Sequence, residues 1–448
     1  MTKTGPPLIL TLTLPAIVTS FGVIPTETPR SMDSLVMGTV ALPNVPSGDP
    51  FQLLTDAYDR GFRRFDLART YGMGKSEDIF GRWMQECNID RETIGVVTKG
   101  GMGNDKYGDP SKCHFVAFPS WLGLSLLSLW EVLRGSQISF FPPFLLFSYV
   151  VYADRPMCTS ESLRSELTAS LESLRTDYAD LYMLHRDDLR IDVREFVDWM
   201  NDLKRDNLIN EWGVSNWSAR RVEEAYDYAL KNGLAPPTAT SPQLSLAVPL
   251  VEVWPSTESL SCPSKDIDLD WYKEHGIEVM GWESLAKGFM AVPTLWRSHE
   301  LPHYVMHGPD PEIGTDAWRL SRIQRAYCTP QNYQRRSIAN KIAKDSGMTL
   351  AQVSLLYLLT KCDNISVLVG ADRTSHLDEM AELQNWALDE EALHCLTAAS
   401  MKSLEEDRAK QQQDFQMPAS IEEMRKKVTV SPKVANIVEE KETAFASS

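Results

Sequence analysis

The stretch Arg63-Arg64-Phe65-Asp66-Leu67-Ala68-Arg69-Thr70-Tyr71-Gly72 opens as a short apolar strand candidate, Arg63 to Leu67, and then breaks into polar residues and a glycine. The same pattern of short apolar run and polar terminus recurs along the chain. Further strand candidates are Leu35 to Val40, Ile94 to Lys99, Asp180 to His185, Glu211 to Ser215, Thr238 to Gln243, Ile277 to Trp282 and Ser366 to Gly370, eight in all. Amphipathic stretches separate them. In Ser162 to Leu174 the leucines 163, 167, 171 and 174 fall on one helical face, spaced to cover a strand. Alternating strands and helices imply a parallel sheet with right-handed crossovers, and eight units close more readily into a (β/α)8 TIM barrel than into an open sheet. A doubly wound sheet is the alternative, but no GxGxxG follows the first strand.

Composition is compatible with this architecture. The chain has 448 residues, 43% of them hydrophobic, enough for one barrel with extensions. A formal net charge of −16 gives no field that would attract a polyanion, so no nucleic-acid partner is expected and a small-molecule ligand is favoured. The seven cysteines show neither CxxC nor Cys/His ligand spacing, which argues against a disulfide framework and a metal site. A reducing, cytoplasmic location is therefore expected.

Residues 1–34 form an N-terminal extension, 35–400 the barrel, and 401–448 a tail rich in Glu, Lys, Gln, Ala and Ser, expected to be disordered or a solvated helix. Within the extension, Leu8 to Val18 has some likeness to the core of a secretion signal. Its alternation of Leu and Thr fits a strand of a short hairpin equally well, and no clear cleavage site follows. The stretch Val116 to Ala153 is nearly free of charge and falls where a loop should be. Glu131, Arg134 and Gln137 divide it, and Pro142-Pro143 disfavours a second helix, so a membrane hairpin is not the preferred reading. It is expected to be foreign to the fold, as a translated intron would be, with edges between Cys113 and Asp154. If it belongs to the mature protein, it could block the mouth, form a lid or tie the chain to a membrane.

In such a barrel the working residues lie at the C-terminal ends of the strands. Asp66 and Tyr71 follow the second strand candidate, Lys99 ends the third and His185 the fourth. Singly, Asp66 could be a helix cap, Tyr71 core packing, Lys99 a surface charge and His185 a hydrogen-bonded loop residue. Together they form a constellation, because a Lys facing inward needs a carboxylate partner, which Asp66 supplies. An ammonium beside Tyr71 is expected to lower the tyrosine pKa from about 10 toward a useful value. A neutral His would orient a substrate oxygen.

These phrases resemble the aldo-keto reductase family. FDLARTYGMGKSEDIFG and DYADLYMLHRDD are similar to two of its signatures, and EWGVSNWS, SPQLSLA, VMGWESLAKGF and VLVGADRTSHLDE continue the likeness in order, over about Leu35 to Leu383. The resemblance implies an NADPH-dependent enzyme, without metal, that reduces a small-molecule carbonyl substrate. Tyr71 would be the proton donor, with Asp66, Lys99 and His185 completing a tetrad. Ser215, Asn216 and Gln243 would hold the nicotinamide carboxamide, and Trp282 would lie under the ring. Ser284, Leu285, Ala286 and Gly288 would run along the pyrophosphate. Gly370 and Arg373 would meet the adenosine 2′-phosphate. Met380 stands where relatives commonly have Asn against the adenine, and His376 replaces a residue that is often Gln or Arg. The alternative is a cofactor-binding regulatory subunit that keeps the barrel with little turnover. Trp296, His299, His303, His307 and Trp318 could line a pocket for a bulky carbonyl or simply pack their loop.

Overall fold

The computed structural model describes residues 22–102, 158–254, 256–292 and 316–399. Leu8 to Val18, the stretch 116–153, the tail from 401, and Trp296, His299, His303 and His307 lie outside the described residues. The eight expected strands are all present as β2 (Leu35–Gly38), β3 (Arg64–Asp66), β4 (Gly95–Gly100), β5 (Ala179–Leu184), β6 (Ile209–Ser215), β7 (Ala239–Ser241), β8 (Glu278–Gly281) and β9 (Ile365–Val369). They close in sequence order into a parallel barrel, with β9 returning to β2 through Val36↔Leu368, so the open-sheet alternative falls away. A further pair, β1 (Val23–Pro25) and β10 (Trp386–Leu388), is antiparallel and joins the two ends of the described chain.

Alternation along each strand decides what faces inward. Val36, Val97, Leu181, Met183, Ala239 and Met280, with Leu368 beside them, form a small cluster separate from the main core. Their immediate neighbours Met37, Val96, Tyr182, Leu184 and Val279 belong to the larger cluster shared with the helices. The first set fills the barrel and the second faces its outer layer. Two residues before Met280 stands Glu278, and two after Val97 stands Lys99, so both point into the barrel. The interior is thus layered. Arg64, Glu278 and Ser366 close the N-terminal end, where Arg64 makes two hydrogen bonds to Glu278 of 2.6 and 2.8 Å. Apolar side chains fill the middle, and Asp66 and Lys99 occupy the C-terminal end.

The helices are set by local chemistry. The helix Ser160–Leu174 begins at a reciprocal cap between Thr159 and Ser162, buries Leu163, Leu167, Leu171 and Leu174, and ends at Arg175 in the left-handed region, φ 55°. Each fully buried leucine on that face contributes on the order of 2 kcal/mol relative to exposure. Among the described residues no helix is long and apolar enough to cross a membrane.

Candidate active site

Asp66 and Lys99 are each about 2% exposed in their side chains and form an ion pair at the barrel mouth. The Lys99 ammonium also donates to the Leu67 carbonyl at 3.1 Å and contacts the Tyr71 hydroxyl at 3.0 Å. Tyr71 in turn donates to the other Asp66 oxygen at 3.1 Å. Three groups distant in character are thereby locked into one triangle. Its corner at Asp66 is held by Thr39, whose hydroxyl and backbone N–H both donate to the Asp66 carbonyl at 2.8 and 3.1 Å.

Tyr71 reaches this position because the chain turns sharply behind it. Gly72, Met73 and Gly74 all have positive φ, at 59°, 58° and 83°. At Gly74 a side chain would also collide with Arg69, its Cβ falling 2.6 Å from a guanidinium nitrogen. The positive φ is what favours glycine there, since the Arg69 guanidinium is the far end of a flexible side chain that can move aside. His185 follows β5, its backbone N–H donating to the Gly100 carbonyl at 2.8 Å, and its ring meets Tyr71 edge to face with centroids 6.0 Å apart. The buried Nδ1 of His185 has no hydrogen-bond partner among the described residues.

The electrostatics correct one expectation. Burial and the Asp66 charge outweigh the Lys99 ammonium at Tyr71, so its pKa is pushed up to about 12 instead of falling. The lysine acts in the expected direction but is neutralised by its own partner. Burial, then Lys99 and Arg186, holds the His185 pKa well below the ordinary 6.5, leaving a neutral imidazole at physiological pH.

On the other side of the mouth, Ser215 donates to the Ser241 carbonyl at 2.8 Å and accepts from the Asn216 amide at 2.9 Å. The Asn216 amide nitrogen also lies 3.4 Å from the His185 carbonyl, and its oxygen accepts from the Trp282 indole at 3.2 Å. Asn216 takes a left-handed backbone, φ 64°, to make these contacts. Gln243 is almost fully enclosed, at 1% exposure. Its oxygen accepts from Ser259 at 2.6 Å and Ser261 at 2.8 Å, while its nitrogen donates to Ser245 at 2.9 Å. One acceptor site remains on the Asn216 oxygen and suits the amino group of a carboxamide, whereas both N–H bonds of the Gln243 amide are taken, by Ser245 and by the Tyr327 hydroxyl. The residues therefore fit a nicotinamide.

After β8 the chain passes through Trp282, Glu283, Ser284, Leu285, Ala286, Lys287 and Gly288, with left-handed φ at Glu283, Ala286 and Lys287. Ser284 is buried and donates to the Gly281 carbonyl at 3.0 Å. A Cβ at Gly370 would meet nothing within 4 Å, so open space adjoins the end of β9. Arg373 is exposed and bonds Asp372 at 3.0 Å, an acid that it shares with His376. Met380 is buried in the core. Trp318 is also buried and packs 5.5 Å from Trp254, fastening a helix to a loop. The sequence alone did not single out Glu283, Ser245, Ser259 or Ser261, although Ser245 lies within SPQLSLA.

Comparison with known proteins bears on this geometry. The profile of the aldo/keto reductase family matches residues 34–400. The chain is 24% identical, over 72% of its length and 77% of the other, to a probable voltage-gated potassium channel subunit beta of Arabidopsis thaliana. It is 23% identical to an aldo-keto reductase of Alternaria alternata, covering 78% of this chain and 81% of that one. Among solved structures, the glycerol dehydrogenase of Gluconobacter oxydans shares the fold with a TM-score of 0.54 at 19% identity, over 85% of this chain and 95% of that. A thermostable aldo-keto reductase bound to the inhibitor epalrestat gives 0.52 at 19% identity, over 84% and 99%.

Proposed function

Since the chain belongs to the aldo/keto reductase family, we propose that it uses NADPH to reduce an aldehyde or ketone to an alcohol, with Tyr71 giving the proton. The observation that carries this reading is the Tyr71 hydroxyl held 3.0 Å from the buried Lys99 ammonium, beside a neutral His185. NADPH, when bound, supplies the hydride that reaches the carbonyl carbon. Asn216 would hold its carboxamide, with Ser215 and the enclosed Gln243 backing that side of the mouth, and Trp282 would support the ring. The loop Ser284, Leu285, Ala286 and Gly288 would receive the pyrophosphate, and Gly370 and Arg373 the 2′-phosphate.

A tyrosine with a pKa of about 12 keeps its proton through neutral pH. It is still a strong enough acid for the task, because the alkoxide that develops on the carbonyl oxygen is comparable to hydroxide, whose conjugate acid has a pKa of about 15.7. As the proton leaves, Lys99 stabilises the phenolate and Asp66 keeps Lys99 in place. The neutral His185 ring directs the carbonyl oxygen toward Tyr71.

Purified protein is expected to oxidise NADPH in the presence of a nitrobenzaldehyde, and Tyr71→Phe to abolish that rate. A Tyr71→Phe variant as active as the parent overturns the mechanism. A second reading, a regulatory subunit that binds cofactor with little turnover, is favoured by the identity to the Arabidopsis protein. Tight NADPH binding by calorimetry, with no consumption across a panel of carbonyl compounds, would support it over the enzyme.

A further inference from the structure

Glu283 stands directly after Trp282 and takes a left-handed backbone, φ 54°, that a residue with a Cβ seldom adopts. Its side chain is only 7% exposed. One carboxylate oxygen accepts from the Trp254 indole N–H at 3.0 Å, and the other from the Tyr327 hydroxyl at 3.1 Å. The Lys287 ammonium lies 3.4 Å from the first. These partners come from three separate segments: the loop after β7, the end of the helix Asp316–Tyr327, and the loop after β8. Trp254 also packs on Trp318 of that same helix. Gln243 and Ser245 face the Tyr327 hydroxyl as well, so the network that starts at Glu283 ends at the amide side chain that backs the carboxamide side of the mouth.

A buried carboxylate is costly unless it is well bonded, and here each bond fixes a different element to the residue next to the nicotinamide platform. The Trp282 side chain itself has one polar tie, to Asn216. We propose that Glu283 is a positioning residue that sets the tilt of Trp282 and the place of Gln243, and thereby fixes which face of the nicotinamide is presented to Tyr71. It touches neither substrate nor cofactor and works through its neighbours. This inference rests on the reductase reading.

The test uses the full chain. In the cofactor-free protein, hydrogen exchange of the peptide spanning 282–292 is expected to speed up in Glu283→Ala and to stay close to the parent in Glu283→Gln, which retains an acceptor for Trp254. With NADPH carrying one deuterium at C4 and a nitrobenzaldehyde as acceptor, the parent transfers label from one face, whereas Glu283→Ala transfers from both. Its kcat falls about tenfold or more, while the NADPH dissociation constant changes less than about threefold. Should Glu283→Ala fail to fold, Tyr327→Phe removes one of the two neutral-donor bonds and is expected to show the same loss of facial fidelity. Unchanged exchange, or full fidelity with an unchanged kcat, overturns the inference. A parent that binds no NADPH overturns the reductase reading instead, and leaves the exchange result to decide the role of Glu283 in holding Trp282.

Discussion

Replacing Lys99 by methionine removes a charge while nearly keeping the volume of the side chain. Three contacts are lost at once, to the Asp66 carboxylate, the Leu67 carbonyl and the Tyr71 hydroxyl. Because Asp66 and Lys99 are both about 2% exposed, the remaining carboxylate has no water to take the place of its partner. Leaving such a buried charge unpaired costs about 3–5 kcal/mol. Urea unfolding of Lys99→Met at pH 7 should show a deficit of that size. The double variant Asp66→Asn/Lys99→Met should recover most of it, since no buried charge is then left alone. Catalysis follows a different order, because both variants lack the ammonium that stabilises the Tyr71 phenolate and both should lose at least about 100-fold in kcat/KM. Stability is thus restored by the second substitution while activity is not. Burial lowers the folded Lys99 pKa, but Asp66 and Tyr71 together outweigh it, so the net shift is upward. Its contribution to stability is therefore fully present below the unfolded lysine value, about 10.4, and is lost only as pH rises through the higher folded value. The parent should accordingly hold this contribution up to at least pH 9. A single variant within 1 kcal/mol of the parent, on the scale of the about 3–5 kcal/mol expected, refutes the reasoning.

At the opposite end of the barrel, Arg64→Ala should cost about 1–2 kcal/mol, because its pair with Glu278 keeps partial access to solvent, and kcat/KM should not change; urea melts and steady-state rates measure the two. In the reductive direction kcat/KM should be flat from about pH 6.5 to 9, since His185 stays neutral above its depressed pKa and Tyr71 keeps its proton until about 12. Oxidation of an alcohol needs the tyrosinate, so its rate should climb about tenfold per pH unit through the alkaline range, and a plateau near pH 8 would contradict the Tyr71 value. Arg373→Ala should weaken NADPH by about tenfold to 100-fold, the scale of a charged hydrogen bond, and leave NADH nearly unchanged; equal losses in calorimetry would remove Arg373 from the 2′-phosphate site.

What the sequence disclosed and what it concealed divide along one physical line. Strands of a parallel barrel are buried on both faces, so each leaves a short apolar run whatever its partners are, and the eight runs were visible without knowledge of the pairing. The tetrad was visible for a related reason. The barrel places strand ends in one ring, so Asp66, Lys99 and His185 could be brought together from their positions alone. Side-chain chemistry that depends on distant partners had no such marker. Glu283 bonds residues 29 and 44 positions away, and a glutamate in a loop otherwise looks solvated. The serines that enclose Gln243 lie up to 18 positions from it, in a stretch with no strand pattern. The Tyr71 pKa depends on distant partners in the same way. The sequence showed that a lysine would stand near the hydroxyl, but the sign of the net effect depends on burial and on Asp66 accepting a bond from each of its neighbours, and these are properties of the assembled triangle. It follows that the acid at this mouth is tuned first by how far the triangle is closed to water, with Lys99 pulling the other way, so changes that open the mouth should lower the Tyr71 pKa even when all four tetrad residues are kept.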